Sequence, residues 1–337
     1  MSVALPRCFA VVGAGSWGTA LAVQLARRGH AVRLWGRDAA AIETMAGTRI
    51  NARYLPHVTF PPTLEPVADL AAAIDGADDV VVVLPSHALR AGLEALAPCL
   101  APHQRVLWAT KGLEPDTALL PHEVATAVLG AARATGVLSG PSFAGEVGRG
   151  LPTAVTIASA DPALAADMAR AFHDGVFRVY TSSDVIGVGV GGAVKNVLAI
   201  AVGMSDGLGY GANARALLIT RGLSEMMRLG VELGGRRDTL TGMAGLGDLL
   251  LTCSDDQSRN RRMGLALAAG DDVPTAEARI GQVVEGVRAA REVHRMAQAH
   301  GIDMPIAAQA YRVLHEGDSP QAAARRLTDR PSRSEAE

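Results

Sequence analysis

The chain has 337 residues, with 32 Lys and Arg against 34 Asp and Glu and a formal net charge of −2. That length carries one large or two ordinary domains with a full core, and so even a charge balance gives no global field for nucleic acid or an anionic membrane. Three scattered cysteines, Cys8, Cys99 and Cys253, exclude a disulfide framework or a Cys-rich metal site and fit a reducing, cytoplasmic compartment.

The apolar start MSVALPRCFAVV runs straight into a glycine loop and lacks the basic opening of a signal peptide. Residues 8–12, CFAVV, read as a buried parallel strand. Gly13-Ala14-Gly15-Ser16-Trp17-Gly18 follows, then a helix through TALAVQLARRG and a second strand at 31–35. Strand, GxGxxG, helix and strand within about thirty residues is the context of a dinucleotide fingerprint. Gly13, Gly15 and Gly18 supply the turn, the close approach to a pyrophosphate and the helix packing.

An acid usually ends the second strand in NAD-binding sheets, where it holds the ribose hydroxyls. Here the sequence is Trp35-Gly36-Arg37-Asp38. Arg37 can pair with a 2′-phosphate, which favours NADPH and leaves NADH open; the plainer reading makes Arg37 a surface charge and Asp38 a helix cap. Further strands are expected at 79–84, 105–110, from 136, at 153–159 and at 177–182. His87 after the first of these stands where a crevice forms and a ligand can lie, but reads more simply as a helix-entry residue. Lys111 follows the second at a carboxyl end, where a cation meets a bound anion or carbonyl. Gly140, Pro141 and Ser142 break the third and suit backbone close to a ligand.

Residues 1–183 are therefore expected to form a Rossmann-like, doubly wound α/β unit, and 184–325 an all-α unit, with a polar tail at 326–337 that frays from Arg325. Ser183 or Asp184 can cap the helix that opens the second unit. That helix covers Gly187–Ser205, nearly all small or apolar, with Lys195 beside Asn196. Its length would span a bilayer, but a centred lysine costs roughly 2.5–3.5 kcal/mol there, so a buried soluble helix is the better reading. Ile219, Leu223, Met226 and Met227 share one face of a later helix, and Val283, Val287, Ala290, Val293 and Ala297 another, with Glu285 off it. Between them lies Asp248, and then Ser258-Arg259-Asn260-Arg261-Arg262, a helix opening rich in donors for a phosphate dianion. The nine histidines show no zinc-ligand spacing and no GxSxG elbow is present, so neither a metal nor acyl transfer is expected. A nucleotide fold, a buried lysine and a phosphate site suit hydride transfer to a small phosphorylated ketone, with Lys195 giving the proton if burial and a second lysine lower its pKa.

The blocks GAGSWGTALA, LWGRD, VVLPSH, WATKGLE, SGPSFA, GLPTAV, GGAVKNVLAI, GMSDGLGYGANARALLITRGLSEM, GMAGLGDLLLTC, QSRNRRMG and GQVVEG stand in one order along nearly the whole chain. Together they resemble the bacterial-type NAD(P)-dependent glycerol-3-phosphate dehydrogenases. That resemblance implies reduction of dihydroxyacetone phosphate to sn-glycerol 3-phosphate for phospholipid synthesis, with Lys195 as proton donor and acceptor. It implies substrate contacts from Lys111, Gly140, Ser142, Lys195, Asp248, Ser258, Arg259 and Asn260. It implies dinucleotide contacts from Ser16, Trp17, Arg37, Lys111, Ala144, Arg259, Val283 and Glu285, beside the glycines. Two positions depart from the pattern: Trp17 where Tyr or Phe is usual, and Gly145 where a longer, often charged residue is common. The alternatives are a related ketone or hydroxyacid reductase and a non-catalytic NADPH-binding regulator. Small-molecule partners are expected, with neither nucleic acid nor a membrane span, and the apolar helices leave a homodimer open.

Overall fold

The computed structural model describes residues 6–331. Ten strands form in chain order: β1 Cys8–Val12, β2 Ala31–Trp35, β3 Ile50–Asn51, β4 Leu55–Thr59, β5 Leu64–Val67, β6 Asp79–Val82, β7 Arg105–Trp108, β8 Thr135–Ser139, β9 Thr153–Ala158 and β10 Phe177–Ser182. Eight of them make one sheet in the order β10-β9-β8-β7-β6-β1-β2-β5, and β3 and β4 make a separate pair. Neighbours from β5 across to β8 run parallel, β9 is antiparallel to β8, and β10 is parallel to β9. The central strands carry apolar residues on both faces because helices cover both: Phe9 and Val11 face one side, Ala10 and Val12 the other, and all four are buried.

The expected strands are present. Three more, β3, β4 and β5, were not expected, because LEPV and LPHVT carry prolines and short apolar runs that mark edges rather than cores. The β3–β4 pair reaches the nucleotide loop through Asn51, whose Nδ2 donates to the Ala14 carbonyl at 3.0 Å and to Thr19 Oγ1 at 2.8 Å.

After β10 the chain is helical. The central helix Val185–Gly207 is capped by Asp184, whose Oδ1 accepts from the Gly187 amide at 2.8 Å. It is long and apolar enough to cross a membrane, yet 83% of its most apolar window is buried inside the protein. It packs against Gly211–Glu232, Asp248–Ser254, Arg259–Ala268 and Glu285–Ala299. Glycine sets the approach to Arg259–Ala268: a Cβ on Gly203 would strike the Arg261 carbonyl, and one on Gly264 would strike the Ile200 carbonyl and stand 2.6 Å from the Met204 amide nitrogen.

Two local expectations change. The helix that carries Val287, Ala290, Val293 and Ala297 starts at Glu285, so Val283 sits in the preceding loop and Val284 is the buried residue there; the apolar spacing ran one turn past the true helix start. The segment from Arg325, expected to fray, is helical through Thr328, with Arg326 Nη1 2.6 Å from Asp318 Oδ2 and Leu327 packed against the core. Residues 332–337 of the tail lie outside the described residues.

Candidate active site

A cleft of about 1280 Å³ runs between the carboxyl ends of the parallel strands and the helices beyond β10. Its first wall is the glycine loop. Gly13 has φ +122°, and a Cβ there would strike the Val83 carbonyl; a Cβ on Gly18 would strike the Gly13 carbonyl. Around Gly15, by contrast, nothing stands within 4 Å of where a Cβ would be. Helix Ser16–Arg27 then begins with no side-chain cap and no acid in its first turn, so its leading amides have no partner in the helix and face a favourable dipole. The two packed glycines shape the turn and the third leaves a bare backbone surface, which fits a dinucleotide pyrophosphate.

The second wall carries the chemistry. Lys111 lies past β7, and Lys195 on the central helix is 6% exposed. Asp248, 1% exposed, begins its helix directly after a π-helical turn at Met243–Gly247, where a Cβ on Gly245 would strike the Leu240 carbonyl. Such a turn re-aims the residue that follows it. Asp248 bridges the lysines: Lys111 Nζ donates to Oδ2 at 2.7 Å and Lys195 Nζ to Oδ1. Lys195 Nζ also donates to Thr252 Oγ1 at 3.0 Å, and Lys111 Nζ to the Gly140 carbonyl at 3.2 Å. Burial pulls the Lys195 ammonium down to about 7; Asp248 opposes that and the Lys111 charge reinforces it. Burial alone would raise the Asp248 carboxyl, but Lys111 and Lys195 together hold it below the usual range.

The third wall is the opening of helix Arg259–Ala268. Ser258 caps it, its Oγ accepting from the Arg261 amide at 3.2 Å, and Arg259 Nη1 donates to the Val283 carbonyl at 2.9 Å. Ser258, Arg259, Asn260 and Arg262 line the cleft. Arg261 does not: it is buried and bound to Asp206 and Asp256, a structural ion pair rather than a ligand group. Asn260 ties three helices together, with Nδ2 donating to Asn196 Oδ1 and Oδ1 accepting from the Gly286 amide, both at 2.9 Å.

The cleft thus gathers Gly15, Ser16, Trp17, Gly18, Lys111, Ser142, Ala144, Lys195, Asp248, Ser258, Arg259, Asn260, Val283 and Glu285 along its walls. Gly13, Arg37 and Gly140 do not line it. Gly13 is packed beneath the loop, and Arg37 is an exposed charge past the end of β2. Gly140, at φ +144°, turns its carbonyl to Lys111 and Ser142 Oγ. Asp38 does cap the next helix, accepting from the Ala41 amide at 3.1 Å. At Gly145, a Cβ would meet nothing closer than Gln257 Oε1 at 3.9 Å, so the missing side chain leaves room on the cleft wall. Trp17 keeps an aromatic ring there, with its Nε1 buried and unpartnered.

Several lining residues carried no sequence signal. Arg53, Tyr54 and His57 arrive on the unexpected β3–β4 pair, and Thr252 one turn after Asp248. Glu285 was named through the resemblance, but its partner was not: Ser86 holds it, with Oγ donating to Oε2 at 2.7 Å. Only pairing of remote chain segments brings these groups in. Among the described residues no cluster of three His, Cys, Asp or Glu could hold a metal ion.

Family models described as NAD-dependent glycerol-3-phosphate dehydrogenase N-terminus and C-terminus match residues 9–165 and 184–325. The chain is 56% identical to the glycerol-3-phosphate dehydrogenase [NAD(P)+] of Thioalkalivibrio sulfidiphilus over 326 residues, 97% of this chain and 98% of that one. It is 54% identical to the enzyme of the same name from Nitrosococcus oceani, covering 96% of this chain and 94% of the relative. The crystal structure of the Coxiella burnetii glycerol-3-phosphate dehydrogenase superposes with a TM-score of 0.93 at 48% identity, covering 96% of this chain and 99% of that one.

Proposed function

The chain belongs to the NAD-dependent glycerol-3-phosphate dehydrogenase family, and from that premise we propose how its cleft performs the reaction. It is an oxidoreductase that uses a nicotinamide cofactor, reversibly reducing dihydroxyacetone phosphate to sn-glycerol 3-phosphate. Residues 1–183 bind the dinucleotide and 184–325 complete the substrate site. The observation that carries the mechanism is the buried Lys195–Asp248–Lys111 bridge inside the same cleft as the glycine loop.

When bound, the nicotinamide supplies the hydride that the protein's own groups cannot. Lys195 gives the ketone oxygen its proton and takes it back in the reverse direction. An ammonium near 7 is suited to both, because it neither holds its proton too tightly nor lacks it at neutral pH. Asp248 fixes both lysines, and Lys111 adds a second positive charge where negative charge develops on oxygen. Arg259, with the capped helix start at Ser258, receives the phosphate dianion. The glycine loop and Ser16 take the pyrophosphate, and Trp17, Ala144, Val283 and Glu285 flank the dinucleotide. Gly140 acts through the carbonyl that holds Lys111, and Ser142 stands beside it.

NADPH is the favoured form, because Arg37 stands past the end of β2 and the carboxylate beside it, Asp38, caps the next helix. We place the enzyme in the cytoplasm, supplying glycerophospholipid synthesis, on the strength of its three free cysteines and its substrate. The exposed Leu217 and Leu250 are the faces a homodimer would bury, and light scattering that gives a monomer mass would remove that reading. The reaction itself is tested by following NADPH and NADH with dihydroxyacetone phosphate and with dihydroxyacetone. Turnover of the phosphorylated ketone to sn-glycerol 3-phosphate is expected; a protein that binds cofactor and turns over neither ketone overturns the assignment.

A further inference from the structure

One group of charges is left over once the cleft has been assigned. Arg37 follows β2, His87 lies in the short turn Ser86–Ala88 past β6, and Arg288 lies in the first turn of helix Glu285–Ala299 on the far side of the cleft. Strands β2 and β6 flank β1, so the first two stand on either side of the glycine loop. All three side chains are exposed, and among the described residues none makes an ion pair or side-chain hydrogen bond. The Ser86–Glu285 hydrogen bond, at 2.7 Å, brings the His87 turn against the first turn of the Arg288 helix. In keeping with that, burial, then Arg288, then Arg37 lowers the proton affinity of the His87 imidazole. Arg288 favours the charged form of the Glu285 carboxylate, but that carboxylate is already taken by the Ser86 amide and hydroxyl.

Two guanidinium charges set near an imidazole from three separate segments cost free energy in the empty protein and return it when an anion enters, because the anion offsets their repulsion and favours the protonated imidazole. The same corner is crowded against the usual carboxylate. A Cβ on Gly36 would stand 2.8 Å from Ile42 Cδ1 and 3.0 Å from Ala14 Cβ, so an acidic side chain there would have to push both aside. Asp38 is committed to its helix. We infer that Arg288 and His87 join Arg37 in a three-sided site for the 2′-phosphate of the dinucleotide, and that Arg288 makes the helical unit a direct reader of the cofactor. This rests on the preference for NADPH proposed above.

The consequence is an NADPH preference divided between two parts of the chain rather than carried by the β2 end alone. Direct binding separates the ideas without turnover: calorimetric titration of the full chain with 2′,5′-ADP and with 5′-AMP, for the wild type, Arg288→Gln, Arg288→Lys and His87→Ala. The wild type should bind 2′,5′-ADP more tightly. Arg288→Gln should lose about 10-fold or more on 2′,5′-ADP, the scale of one charge-assisted contact, and leave 5′-AMP within about 2-fold. Arg288→Lys should recover part of the loss, and His87→Ala should lose less than Arg288→Gln and again only on the phosphorylated ligand. Equal affinity of the wild type for both ligands would overturn the NADPH preference itself. A wild-type preference that survives in Arg288→Gln and His87→Ala, or a loss equal for both ligands, would overturn the three-sided site and leave that preference standing.

Discussion

Asp248→Asn separates the electrostatic role of the buried bridge from simple loss of a contact. In the native protein the carboxylate supports two ammonium groups, with Lys111 Nζ at 2.7 Å and Lys195 bound to the other oxygen. Asparagine keeps the shape and removes the charge, leaving Lys195 with the burial and the Lys111 repulsion that already hold it near 7. An opposite charge at this range ordinarily changes a proton affinity by about 10- to 1,000-fold. The protonated fraction of Lys195 at pH 7 should then fall from about one half to between ~10% and ~0.1%, and the saturated rate of ketone reduction by about 5- to 500-fold. The loss should shrink as pH is lowered, because acid restores the ammonium, and the reverse oxidation should suffer less. A pH profile of kcat in both directions reads this. A loss that is flat with pH would show that Asp248 does not act through the proton affinity of Lys195.

With Lys195 in its proposed role, the same ionisation gives opposite limbs in the native enzyme. Reduction should decline as pH rises through about 7 and the ammonium is lost, whereas oxidation should rise through the same region; parallel profiles would exclude Lys195 as the shared group. Arg259→Ala should raise KM for dihydroxyacetone phosphate by about 10- to 100-fold, the scale of a charge-assisted contact, with kcat changing less. The same penalty on unphosphorylated dihydroxyacetone would argue against a phosphate contact. Gly264→Ala puts a methyl group into the Ile200 carbonyl and should cost about 1–3 kcal/mol in thermal unfolding. Gly175→Ala, with nothing within 4 Å, is the control expected within about 0.5 kcal/mol, and equal Tm values for the two would refute the close helix approach.

What could be read from the residues was whatever repeats locally. The strand CFAVV and the spacing of Gly13, Gly15 and Gly18 are short-range patterns, and the structure keeps both at the expected positions. Lys195 was legible because a lysine in a nineteen-residue run of nearly all small or apolar residues needs a reason, and its bridge to Asp248 and Lys111 offers one. Charge partners across the fold were not legible. Arg261 looked like its neighbours in Ser258–Arg262 until Asp206, 55 positions away, claimed it. Glu285 and Ser86 meet over a separation of 199 residues, and no local period marks either. The β3–β4 pair escaped because its prolines and exposed positions read as loop, although it brings Tyr54 and His57 to the cleft. Helix starts were the weakest point: one turn of error at Glu285 moved Val283 from a core face to a loop carbonyl that receives Arg259.

The central claim is that Lys195 moves the proton in a cleft built for a nicotinamide and a phosphorylated ketone. Lys195→Met tests it when two quantities are measured on one preparation: cofactor affinity by titration, and dihydroxyacetone phosphate-dependent consumption of NADPH. The account predicts cofactor affinity close to wild type with a rate lower by about 10²–10⁴-fold at every pH. A variant that binds cofactor and reduces the ketone at the wild-type rate would contradict it.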